Sequence, residues 1–83
     1  MEYFIVALMS LVNPETNSAN MYVFTKPHQS IEACKYFAVT NIPAISETLY
    51  KNFGPDDKPQ MISCVTKDVI EQLAYPVEAG EDI

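Results

Sequence analysis

Eighty-three residues leave room for one domain with a small core, since a chain of this length buries only about 60 to 65% of the surface its unfolded form exposes. The 5 basic residues, all lysine, stand against 11 acidic ones, giving a net charge of -6 and a pI near 4.4, which excludes a general binder of phosphate backbones and disfavours an anionic membrane surface. At 48% hydrophobic and 19% charged the chain is too apolar to be disordered.

Tyr3 to Val12 is apolar at almost every position, with Ser10 the one polar member. Glu2 precedes it and no positively charged region does, so a first β-strand is expected in place of a secretory signal, and ten residues are too few to span a bilayer as a helix. Both faces of this strand are apolar: Tyr3, Ile5, Ala7, Met9 and Leu11 on one, Phe4, Val6, Leu8 and Val12 on the other. That pattern belongs to a central strand or to one covered on both sides. Asn13 to Asn20 carries a proline and repeated asparagines and reads as a loop. Met21 to Thr25 then resumes β propensity, and the short connection predicts an antiparallel hairpin.

Lys26-Pro27-His28-Gln29 ends the second strand, and Ser30 is a natural N-cap for a helix starting at Ile31, with Glu32 favourably placed in its first turn. Cys34, Phe37 and Ala38 form the core-facing side of this helix. Pro43 predicts a kink or a break into two helices, after which Ile45, Leu49 and Phe53 recur every fourth residue until Gly54-Pro55 stops the helix. Asp56 to Pro59 reads as a solvated turn, Gln60 to Thr66 as a third strand apolar on both faces, and Asp68 to Ala74 as a short helix. The expected fold is therefore α+β: a small antiparallel β-β-α-β sheet, covered on one face by a kinked helix, with a short C-terminal helix. Residues 1–76 make one compact domain and residues 77–83 an acidic mobile tail.

The second sheet face needs a cover, which residues 69–77 could supply in part and a partner more amply; Phe4, Val6, Leu8, Met21 and Val23 are its candidate interface, with self-association the expected use. Cys34 and Cys64 are the only cysteines. They are read either as two buried thiols or as a helix-to-sheet disulfide closing a loop worth roughly 3 to 4 kcal/mol. No CxxC motif, glycine-rich phosphate loop or nucleophile-base-acid series is present, so no catalytic residue, cofactor or metal ligand is assigned. His28 reads as an exposed loop residue, and Asp68 with Glu71 as solvated helix-end carboxylates. The aromatic residues include strand members that could mimic a base-stacking platform, but the cationic frame for a nucleic-acid backbone is missing.

Three stretches, YFIVALMSLVNPET at 3–16, MYVFTKP at 21–27 and SIEACKYFAVTNIPAI at 30–45, together with ISCVTKD at 62–68, resemble small uncharacterised accessory proteins of tailed phages of marine bacteria, particularly cyanobacterial myoviruses. The resemblance spans residues 3 to 73, and its most specific element is Ser30-x-Glu32-x-Cys34 followed by Cys64 in a strand. It implies a protein made in the host cytoplasm, where thiols stay reduced, and brings no activity or catalytic residue with it. The expected function is a non-enzymatic protein-interaction or regulatory module acting on a host or virion protein. Two alternatives stand beside it: a structural component of a phage particle, and a small enzyme or ligand-binding protein whose site forms across a dimer cleft from Tyr22, His28, Glu32 and Tyr36.

Overall fold

The computed structural model describes residues 1–15, 17–72 and 77–80. The chain has an α+β fold built on one sheet: β1 (Tyr3–Asn13), β2 (Ser18–Phe24), α1 (Ile31–Thr40), α2 (Ile42–Phe53), β3 (Pro59–Thr66), α3 (Lys67–Gln72) and β4 (Val77–Gly80). The strand order is β3-β1-β2-β4. β1, apolar on both faces, lies inside the sheet and pairs antiparallel with β2 (Val6 opposite Val23) and with β3 (Val6 opposite Ser63). The hairpin closes faster than its composition suggests. Asn17 takes a positive φ of 56°, which asparagine tolerates, and β2 starts at Ser18.

The helical layer follows local chemistry. Ser30 Oγ accepts the Ala33 amide at 3.1 Å and so caps α1. Asn41 then serves two helices: its side-chain amide donates to the Phe37 carbonyl at 2.9 Å, and its own carbonyl accepts the Ile45 amide at 3.0 Å. Pro43 lies in the first turn of α2, where its missing N–H costs nothing, so the expected break is realised as two separate helices. Gly54, at φ 85°, ends α2 and donates its amide to the Tyr50 carbonyl at 2.8 Å.

Between the helices and the sheet lies the main core, where Ile5, Met9, Phe24, Ile45 and Leu49 are almost fully buried. Ile62 and Cys64 of β3 pack against it from the edge of the sheet, which puts their side chains on the helix-facing side, a choice that a strand apolar on both faces leaves open in the sequence. The opposite face differs from expectation. Val6, Met21 and Val23, expected at an intermolecular interface, are 5, 2 and 7% exposed within the single chain, and Phe4 and Leu8 are half-buried. They form a second apolar cluster against which Val65 and Ile70 pack, so α3 gives this face the cover that residues 69–77 were expected to supply only in part. Residues 77–80, read as part of a tail, instead pair with β2 in parallel, Met21 opposite Val77, and the Thr25 amide bonds the Gly80 carbonyl at 3.0 Å. The rest of that tail, residues 81–83, lies outside the described residues, as do Leu73 and Ala74 of the expected short helix. Among the described residues no helix is long and apolar enough to cross a membrane.

Candidate functional site

Four residues weighed as ligand contacts do not converge. Tyr22 is buried in the main core, edge-on to Phe24 and Phe53 with ring centroids 4.9 and 6.2 Å away. Tyr36, on α1, is 73% exposed, and Glu32 is exposed in the first turn of the same helix. His28, read as an exposed loop residue, is buried. It exchanges both backbone hydrogen bonds with Tyr3, at 2.8 and 2.9 Å, and its ring packs 5.0 Å from that of Phe37. Lys26 Nζ lies 4.3 Å from the Phe37 centroid, so a cation and an imidazole together fasten the 25–29 loop to α1. Burial, and secondarily the Lys26 charge, hold the His28 pKa below its ordinary 6.5. These are properties of a structural histidine.

Asp57 also departs from its reading as a solvated turn residue. It is buried, and one carboxylate oxygen accepts both the Ser10 and Leu11 amides at 2.9 Å. The β1–β3 register shifts between Leu8 and Met9, and beyond that shift the carboxylate takes over from a strand partner. The Ser10 hydroxyl bonds the Lys58 carbonyl beside it, and Gln60 Nε2 donates to the Met9 carbonyl at 2.8 Å, so this end of the sheet is closed by side chains. Among the described residues no three histidine, cysteine, aspartate or glutamate side chains gather into a metal-binding set.

Among the described residues a groove of about 590 Å³ lies between α1 and β3. One wall is a stripe of α1 and its continuation, Ile31, Lys35, Ala38, Val39 and Ile42, at helical spacing. The other is β3 from Ile62 to Val65. Cys34 and Cys64 join the two walls through a disulfide, with α-carbons 6.1 Å apart, inside the range a disulfide spans without backbone movement, in place of the reduced thiols that the phage resemblance implies. Val39 and Ile42, 73 and 45% exposed, form an apolar rim. Among the described residues Lys35 is the only ionisable side chain lining the groove, and Tyr22, His28, Glu32 and Tyr36 do not line it.

Among the described residues β3 is an edge strand, bonded to β1 alone. Backbone alternation tells which of its polar groups point away from β1. Tyr3 turns its N–H and C=O away from β3 toward His28, so in an antiparallel ladder Phe4, Val6 and Leu8 turn theirs toward β3. Their partners Val65, Ser63 and Met61 are thereby occupied, while Ile62 and Cys64 direct their amides and carbonyls outward along the groove. A row of outward donors and acceptors beside an apolar trough fits an extended polypeptide. Of Cys34, Phe37 and Ala38, the α1 residues read from sequence as core-facing, only Ala38 also lines the groove, and the neighbouring stripe was not singled out. The recurrence of Ile31, Val39 and Ile42 around Lys35 was its available signal.

Compared with known proteins, the chain matches no family model, no curated protein and no solved structure.

Proposed function

We propose that this protein is a non-enzymatic protein-interaction module that receives an extended segment of polypeptide in the α1–β3 groove, as an added strand of its sheet. The observation that carries this reading is the coincidence of outward-directed Ile62 and Cys64 backbone groups with an apolar trough walled by α1. Main-chain pairing supplies affinity in this mode, and side-chain contacts with the trough supply selectivity. The disulfide supports the role mechanically, because it ties edge strand to helix and so sets the width of the groove. The net charge of -6 favours protein over nucleic acid as the partner class, and the phage-protein resemblance makes a host or virion protein a candidate source of the segment.

The test is selection of a combinatorial library of unstructured peptides on the immobilised full chain, followed by mapping of amide chemical shifts for the peptides retained. The expected result is a set of peptides whose binding shifts β3 and the Ile31–Ile42 stripe and protects the Ile62 and Cys64 amides from exchange. Retained peptides that map to another surface, or a library from which none binds, would overturn the reading.

A further inference from the structure

The two edges of the sheet are built differently. At one edge β4 is a short strand, Val77–Gly80. Brevity is one of the usual means by which an edge is kept from pairing with another chain. At the other edge β3 runs for eight residues, PQMISCVT, with no ionisable side chain and only Pro59 as a local obstacle, at its first position. An edge of that composition is suited to pairing.

We infer that a second copy of this chain fills the groove, β3 pairing antiparallel with β3 across a twofold axis at Ser63, so that one sheet runs through both protomers. The inference rests on the strand-docking reading of the groove and names its occupant. An antiparallel copy of β3 presents the same outward groups in reverse order. With Ser63 on the axis, Ile62 of each protomer lies opposite Cys64 of the other, and both pairs exchange main-chain hydrogen bonds, the self-complementarity a twofold interface requires.

Charge argues for the same occupant. Two chains that each carry a net -6 repel, but the β3 edge from Pro59 to Thr66 carries no carboxylate, so pairing along it opposes none. Antiparallel pairing also brings the Pro59 end of one β3 to the Thr66 end of the other, where α3 begins. A basic peptide, which the overall charge would attract, finds no carboxylate in the groove, whose lining ion is Lys35. The same twofold carries the exposed rim of Val39 and Ile42 toward the partner's rim and covers it.

The test uses the full oxidised chain. Sedimentation over a dilution series should show a concentration-dependent dimer. The double substitution Val39→Lys with Ile42→Lys, at exposed positions that leave the core intact, should weaken self-association by roughly tenfold or more. Separately, Ser63→Cys should give a covalent dimer on mild oxidation, because α-carbons of a non-hydrogen-bonded antiparallel pair lie about 4.5 Å apart. A monomer at every concentration, a dimer indifferent to the rim substitutions, or a Ser63→Cys variant that does not cross-link overturns the inference. A monomer that still takes library peptides along β3 leaves the strand-docking reading standing and removes only the second copy as occupant.

Discussion

Breaking the Cys34–Cys64 bond should cost this chain much of its stability. The bond closes a loop with a sequence separation of 30 and joins α1 to an edge strand, two elements otherwise held by side-chain packing. Loop-closure entropy for that separation amounts to about 12 cal/mol/K, or about 3.6 kcal/mol at room temperature, against a total of about 5 to 15 kcal/mol for an ordinary domain. For a chain of this size such a loss lowers the melting temperature by roughly 15 to 30 °C. Alanine at both positions is the cleaner perturbation, since serine would bury a hydroxyl at the fully buried Cys34 site. Thermal unfolding followed by circular dichroism, with and without a thiol reductant, should show the large shift in the native chain and none in the Cys34→Ala/Cys64→Ala variant. Equal melting temperatures for oxidised and reduced native chain, or two titratable free thiols in protein purified under oxidising conditions, would refute the account of how the groove walls are joined.

Asp57→Ala removes the acceptor for the Ser10 and Leu11 amides and should destabilise by roughly 2 to 4 kcal/mol in urea unfolding, whereas an effect below about 0.5 kcal/mol would mean that water replaces the carboxylate. Because burial holds the folded-state pKa of His28 below 6.5, the unfolded chain binds the proton more readily; stability should be intact above about pH 6.5 and decline as pH falls through that value toward the lower folded-state pKa, and His28→Leu should flatten this part of the melting-temperature profile. Gly54→Ala should cost about 1 to 3 kcal/mol through backbone strain alone at φ 85°, as an added Cβ meets nothing within 4 Å; a neutral result would show the α2 terminus to be freely adjustable.

The fold class was legible because its signals are local and periodic. Ser30 announces a helix start, Pro43 a break and Gly54 a stop, and the two-sided apolar pattern of β1 places that strand inside a sheet. What stayed hidden depends on contacts between distant segments. Nothing near Val77 advertises a parallel strand beside β2, since that short, partly charged segment owes its conformation to the edge it meets. Asp57 looks like any turn aspartate until the register shift in β1 brings it to the Ser10 and Leu11 amides, 47 and 46 positions away. His28 sits in a loop sequence whose burial arises from Tyr3 and Phe37. The same limit moved the candidate interface. Apolar residues on the second sheet face required a cover, but a pattern cannot tell a cover supplied by α3 from one supplied by another molecule. The free edge of β3 is a property of strand order, which composition does not encode.

Residue-resolved amide hydrogen exchange along β3 tests the central claim most directly, because it reads the free edge itself. In dilute protein the Met61, Ser63 and Val65 amides, bonded to β1, should exchange slowly, while those of Ile62 and Cys64 exchange quickly. When a strand is added, whether a selected peptide or a second copy at high concentration, Ile62 and Cys64 should become protected and the other three should change little. Slow exchange at Ile62 and Cys64 in the dilute chain, or fast exchange there in every complex, would contradict the assignment of β3 as the strand-accepting edge.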